Sequence, residues 1–331
     1  MKRKLLDYLA CPACSGNINL ATISAEEGIE ILSGELQCAS CAKSFPIVRG
    51  VPRFAELPEV EEEKRATASS FGWSWQQFSH DDERYEQQFL DWIAPVRPEF
   101  VAGKIVLEGG CGKGRHTQRV ARWGAKDIVA VDLSAAVEVA FAATQGVENA
   151  HVIQADIYHL PLQRVFDYAF SVGVLHHLPN PREGFKSLVS RVKPGGHASA
   201  WVYGAENNEW ITRWINPVRE RVTARMDQRA LLQLSKIPAA CLYLATKLVY
   251  GPLNRNGSTV AKRLFYNDYL KSIAPFGWRE QHTIVFDHLV APTAFYISRE
   301  EFEQWWHDIG ARDVTINWHN KNSWRGTGVI P

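Results

Sequence analysis

Apolar and polar positions alternate in blocks along the middle of the chain. Apolar runs at residues 105–107, 128–131, 151–157, 166–172 and 198–203 are each short enough for a buried strand. The stretches between them leave room for helices, so the region reads as a strand–helix repeat with a largely parallel sheet. After residue 204 this alternation stops. Residues 210–225 and 229–249 carry apolar positions at helical spacing and predict an inserted helical cap. The earlier pattern returns at Ser298-Arg299-Glu300-Glu301, a capping-box start for a helix that ends at Gly310. Residues 313–318 and 323–330 then predict two further strands.

The first apolar run feeds a glycine-rich turn, Glu108-Gly109-Gly110-Cys111-Gly112-Lys113-Gly114, and Asp132 closes the second run 18 positions after Gly114. A strand, a glycine turn, a helix and a second strand ending in a carboxylate describe a nucleoside-binding unit. Glycines let the backbone approach a ligand closely, and the carboxylate accepts hydrogen bonds from ribose hydroxyls. A dinucleotide turn would leave a helix N-terminus free for a pyrophosphate. Here the strand ends instead in the Glu108 carboxylate, which would repel a pyrophosphate and attract an ammonium or sulfonium group. S-adenosylmethionine (SAM) carries both cations and no phosphate, so charge complementarity favours SAM over NAD.

From this turn onward the chain resembles the class I SAM-dependent methyltransferases (methyltransferase type 11-like), and the motifs follow in order. Glu108 to Gly114 resembles the family's first motif, with Gly109, Gly110, Gly112 and Gly114 against the cofactor. Val131-Asp132-Leu133-Ser134 resembles the second, which implies Asp132 on the ribose and Leu133 beside it. The run ending Ala155-Asp156-Ile157 resembles the third strand, implying Asp156 and Ile157 near the adenine. The segment through Ser171 and Val172 to Leu175-His176-His177-Leu178 resembles the fourth strand and the loop lining the transfer site. Val192-Lys193-Pro194-Gly195-Gly196 leads into the fifth. The resemblance implies a Rossmann-like seven-stranded α/β sheet ending in a hairpin, with the cap inserted after strand five and residues 100–204 as the cofactor core.

Four of the six cysteines form two knuckles, Cys11-Pro12-Ala13-Cys14 and Cys38-Ala39-Ser40-Cys41, separated by 23 residues. This spacing suits a four-thiolate zinc site, closed to water and therefore structural. A segment of some 55 residues buries little apolar surface, so a metal staple meets a physical need. Together with Phe45-Pro46-Ile47-Val48-Arg49-Gly50-Val51-Pro52, the knuckles resemble the zinc-ribbon family of tRNA-methyltransferase activators. That family's ribbons act as partners of methyltransferases, which implies docking within this chain or on a protein partner. Cys111 and Cys241 read as small buried apolar residues. The expected organisation is a ribbon at 1–55, a linker and aromatic helices at 56–99, the core at 100–204, the cap at 205–296 and the closing elements at 297–331.

The linker is acidic, with Glu56, Glu59, Glu61, Glu62 and Glu63 around Pro58. The aromatic run 71–78 that follows either covers the sheet or closes over SAM. In the second case Trp73 and Trp75 would hold the sulfonium by cation–π attraction. The cap segment 204–280 has twelve Lys or Arg against six Asp or Glu. It reads as a solvated face or as a lid for an anionic or amphiphilic substrate. An oxygen or nitrogen acceptor also needs a base, for which His176, His177, His159 and His288 are the candidates. The formal net charge of +1 supplies no global field for nucleic acid, and no Asn-Pro-Pro-Tyr motif is present. The expectation is therefore a cytoplasmic SAM-dependent O-methyltransferase of a small-molecule, lipid-linked or sugar acceptor. An rRNA or tRNA methyltransferase, or a SAM-binding scaffold whose ribbon docks a partner, are the alternatives.

Overall fold

The computed structural model describes residues 1–55, 61–78 and 82–331; Glu56, Pro58 and Glu59 of the expected linker lie outside the described residues. At the N-terminus, strands β1 (Ile18–Glu27) and β2 (Glu30–Cys38) form an antiparallel hairpin that turns at Gly28, whose φ of +56° favours glycine. Strands β3 (Ser44–Val48) and β4 (Val51–Pro52) extend it into a four-stranded sheet.

The second sheet has seven strands. These are β5 (Ile105–Gly109), β6 (Asp127–Asp132), β7 (Ala150–Gln154), β8 (Phe166–Val172), β9 (Val192–Tyr203), β10 (Arg312–His319) and β11 (Ser323–Val329). They lie in the order β10-β11-β9-β8-β5-β6-β7. Strands β5 to β9 pair in parallel, and β11 runs antiparallel to both β9 and β10. The central strands are buried on both faces, which is why their sequences are continuous apolar runs rather than alternating ones.

Helices α1 (Glu62–Gln77), α2 (Arg84–Ile93) and the short α3 (Pro98–Val101) precede the sheet. The helices α4 (Arg115–Arg122), α5 (Val137–Thr144) and α6 (Pro181–Val189) lie between its parallel strands. The expected cap is helical: α7 (Asn216–Arg221), α8 (Gln228–Leu234), α9 (Lys236–Ala245), α10 (Gly251–Arg255), α11 (Asn267–Ile273) and α12 (Trp278–Val290). Helix α13 (Arg299–Asp308) starts as its sequence predicts, with the Ser298 hydroxyl accepting the Glu301 N–H at 3.1 Å.

The ribbon is seated on its own sheet. Leu5, Leu9, Ile31 and Leu36 share one buried core with Leu107, Val129 and Ile153, and Val51 packs against Val137, Ala140 and Val152. The Phe54 N–H donates to Gln154 O at 2.8 Å, so the chain beyond β4 covers the edge strand β7 that would otherwise stand open. Polar groups seal the contact: Tyr8 Oη and Lys4 Nζ both reach Asp127 Oδ2 at 2.6 Å, and His151 Nε2 lies 3.0 Å from Oδ1. Burial works against the Asp127 carboxylate, but these three partners hold it down at about 2. Docking within the chain is therefore the arrangement adopted. One expectation fails here: Cys241 is exposed, because it lies on the outward face of α9 while Ala239 and Thr246 turn inward.

Candidate active site

Strand β5 ends at the topological switch point, between β6 on one side and β8 on the other, where open parallel sheets bind ligands. There the glycine turn needs glycine. Gly110, Gly112 and Gly114 have φ of +80°, +51° and +80°, and a Cβ at Gly112 would lie 2.9 Å from Trp75 Nε1. Gly110 and Gly112 line a cavity together with Asp132, Leu133, Asp156, Ile157, Val172 and His177. Asp132 is locked in place, since Oδ2 accepts the Gly112 N–H at 2.8 Å and Oδ1 accepts the Ser134 N–H and hydroxyl at 2.8 and 2.7 Å. A carboxylate has about four acceptor sites, so one is left for a ribose hydroxyl. The glycine cradle and this carboxylate fit the nucleoside half of SAM.

Helix α1 covers the cavity with Thr67, Ala68, Phe71 and Trp75, and Lys64 clasps it shut by pairing with Asp156 Oδ2 at 2.7 Å. The other Asp156 oxygen accepts the Tyr158 N–H at 3.0 Å. Sequence reasoning missed Lys64, because nothing in an isolated charged helix start reveals a partner 92 positions away. Of the two tryptophans, Trp75 lines the cavity, whereas Trp73 packs on Phe286 of the cap with ring centroids 5.7 Å apart. The two residues are too close in sequence to share a helix face.

Glu108 lies behind the cavity wall rather than in it. Its Oε2 accepts the Thr117 hydroxyl at 2.5 Å, and His116 Nδ1 is 3.3 Å from Oε1. Burial pushes the carboxyl up to about 8, against the opposing pull of Thr117 and Arg115. The carboxylate expected from sequence to attract a ligand cation thus lies outside the cavity lining, in contact with the start of α4. Gly109, Gly114 and Ser171 also stand outside the wall: Ser171 Oγ donates to Gly109 O at 2.9 Å, and Gly114 is the left-handed N-cap of α4 against Ala140.

The Glu108 environment predicts a pH effect on stability. The unfolded chain loses this proton near 4.5 and the folded chain near 8, so stability falls as pH rises between those values. The Glu108→Gln variant, which has no proton to lose, should show a smaller fall in thermal midpoint from pH 5 to pH 8 than the parent chain. Parallel profiles would refute the burial argument.

A second cavity adjoins the first beneath the cap. Its walls are aromatic, including Tyr85, Trp92, Trp201, Tyr203, Tyr269 and Tyr296. Phe71, Trp75, Arg115, Val172, Gly173 and His177 line both cavities. Arg115 lies over the rings of Trp75, Tyr85 and Trp92, with its guanidinium carbon 5.8, 4.4 and 5.6 Å from their centroids. The roof is α12, tied to α1 by Ser74 Oγ donating to Asp287 Oδ1 at 2.7 Å.

The four candidate histidines separate. His177 Nδ1 lies 2.7 Å from the Thr293 carbonyl, and burial lowers its value to about 4 although that hydrogen bond opposes it. The ring is therefore neutral, with Nδ1–H donating and the lone pair on Nε2. His288 lines the second cavity, with Nδ1 directed to Ile284 O at 2.9 Å and the ring stacked on Tyr203. His176 is fully buried outside both cavities, 3.9 Å from the Tyr203 ring centroid, and His159 is exposed. Asp287 was not anticipated. Burial raises it to about 6 against the Ser74 hydrogen bond, and its helical spacing from Ile284, beside His288, places it on the same face.

At the ribbon, the four cysteine sulfurs lie within 4.8 Å of one another, with Cys11–Cys41 at 3.7 Å and Cys14–Cys38 at 3.5 Å. A tetrahedron of zinc–sulfur bonds of about 2.3 Å has edges of about 3.8 Å, so the cluster fits. The Ser40 and Cys41 N–H groups donate to Cys38 Sγ at 3.4 and 3.5 Å, which supports a thiolate there.

Residues 107–200 match a family model described as a methyltransferase domain, and residues 2–50 match one described as Trm112p-like protein. Similar curated proteins include the tRNA U34 carboxymethyltransferase of Aeromonas salmonicida (strain A449). It is 39% identical over 100 residues, which are 29% of this chain and 31% of that protein. The ubiquinone biosynthesis O-methyltransferase of Cronobacter sakazakii (strain ATCC BAA-894) is 29% identical over 184 residues, 50% of this chain and 72% of that one. The chain thus spans about a third of the length of the carboxymethyltransferases it matches. A solved complex between the Haloferax volcanii Trm112 methyltransferase activator and a putative methyltransferase covers 80% of this chain and 97% of its own. Its identity is 14% and its TM-score 0.47, too loose a likeness to carry weight.

Proposed function

We propose, from the premise of a methyltransferase domain at residues 107–200 behind a Trm112p-like segment at residues 2–50, that this protein methylates a planar acceptor held in the aromatic cavity beside a SAM site. The carrying observation is the shared wall, because the six residues that line both cavities leave donor and acceptor with no element between them. SAM supplies an electrophilic methyl carbon on a sulfonium. The chain supplies alignment, which accounts for most of the acceleration in an in-line displacement, and a roof that excludes water. His177 Nε2 is the atom on which the acceptor's proton lands, since the Thr293 carbonyl holds the ring in that tautomer.

For the acceptor, the names of the relatives favour a tRNA base over the small-molecule O-methylation expected from sequence. Aromatic walls suit a base taken out of its stack. In those relatives the transferred group is, by name, a carboxymethyl, so the mass of the product matters. A second reading, a small or lipid-linked acceptor, is favoured by the roof of α12 over the cavity and by the O-methyltransferase relative.

The test is incubation of the whole chain with methyl-labelled SAM and either total tRNA or an organic-solvent extract of cells, followed by mass analysis. Label in nuclease-sensitive material supports the first reading, and label in the organic phase the second. SAM binding without turnover on either would reduce the protein to a scaffold. With the active acceptor, His177→Ala should cut turnover by roughly 10²–10⁴-fold while sparing SAM affinity. Near-normal turnover would remove His177 as the base.

A further inference from the structure

We propose that the outward face of the cap helix at residues 236–255 is a docking surface for an anionic lipid bilayer. Helices α9 and α10 are joined by a π-helical turn, Thr246–Tyr250, into one continuous helical run of about 30 Å. Its inner face is settled: Ala239 and Thr246 are buried, and Leu242 packs against the cluster around Tyr85 and Phe276. Its outer face is apolar and open. Ile237, Leu244 and Leu248 are 65%, 55% and 70% exposed, and exposed Cys241 completes the spacing of four, three and four that places all of them along one side. Scattered exposed aliphatics are ordinary on a surface, but an aligned row along a helix already packed on its other face is not.

The charge of the segment is the second observation. Between Asp227 and Asp268 the sequence contains no Asp or Glu, and Arg229, Lys236, Arg255, Lys262 and Arg263 are all exposed there. The positive excess of the cap therefore falls within the segment that carries the apolar row. Phe265, 61% exposed, is held beside the end of the run by the Tyr250 hydroxyl, which donates to its carbonyl at 2.8 Å. Apolar side chains flanked by cations, with an aromatic at the margin, complement an anionic membrane surface. The aliphatics enter the acyl boundary and the cations meet headgroup phosphates.

A nucleic acid would satisfy the cations and leave Ile237, Leu244 and Leu248 in water. A bilayer satisfies both. No helix among the described residues is long and apolar enough to cross a membrane, so the run would lie in the interface plane. Membrane docking at this face depends on neither the acceptor nor catalysis.

The test is cosedimentation of the full chain, without SAM, with vesicles of phosphatidylcholine alone or mixed with phosphatidylglycerol, and in parallel a tRNA-binding titration. The expected result is partition onto the mixed vesicles, weakened at least tenfold by the triple substitution Ile237→Ser, Leu244→Ser and Leu248→Ser and by added salt. These side chains are exposed, so thermal midpoints of parent and variant should agree, which separates loss of docking from loss of fold. Absence of partition, or partition indifferent to the serine substitutions, overturns the proposal. So does tRNA binding that is lost on Lys236→Glu with Arg255→Glu while the vesicles remain unbound, since that outcome assigns the face to nucleic acid.

Discussion

Replacing Cys38 with serine is expected to release the ribbon's zinc and to unfasten the N-terminal 55 residues from the sheet. The four sulfurs stand at tetrahedral spacing, and metal binding to such sites contributes on the order of 10–16 kcal/mol of apparent folding free energy. That is comparable to the net stability of a whole domain. The consequences extend beyond the ribbon because it shares a core with the sheet. Once loosened, it uncovers Leu107, Val129 and Ile153, removes Tyr8 and Lys4 from Asp127, and opens the β7 edge. The expected measurements are loss of bound zinc by elemental analysis, rapid proteolysis within residues 1–55, and a lower thermal midpoint for the entire chain. Unchanged zinc content, or a protease-resistant ribbon in the variant, would refute the metal-staple account.

Asp132→Ala is expected to weaken SAM by roughly 10–100-fold, the scale of one charge-assisted hydrogen bond to a ribose hydroxyl. The structure adds a second cost. The same carboxylate holds the Gly112 N–H and both donors of Ser134, so its removal loosens the glycine turn as well as the ribose contact. Asp132→Asn keeps one acceptor oxygen and should fall between the two in a calorimetric titration. Equal affinity in all three proteins would dispose of the ribose assignment.

The cofactor side of the molecule was legible because its chemistry is local. A glycine turn, the carboxylate that closes the next strand and two cysteine knuckles are constrained by what their immediate neighbours must do, and the structure brings them together as spacing implied. Glu108 shows the limit of that logic. Its place in the motif is local, but its burial behind Thr117 and His116 is not, and burial decides whether it carries charge. The histidines show the same limit, since His176 and His177 are sequence neighbours with opposite fates. One is buried outside both cavities, and the other stands between them.

Local pattern alone carries the strand–helix order, the glycine turn with Asp132, the metal-ligand spacing and the existence of a cap, because periodicity and glycine geometry act over a few residues. Where the ribbon docks, which tryptophan reaches the cavity, the closing pair of Lys64 and Asp156, and the outward apolar row of the cap emerge only in the folded chain. Each of these depends on contacts between segments far apart in the chain. Burial, pairing and exposure are properties of those contacts and not of any residue alone.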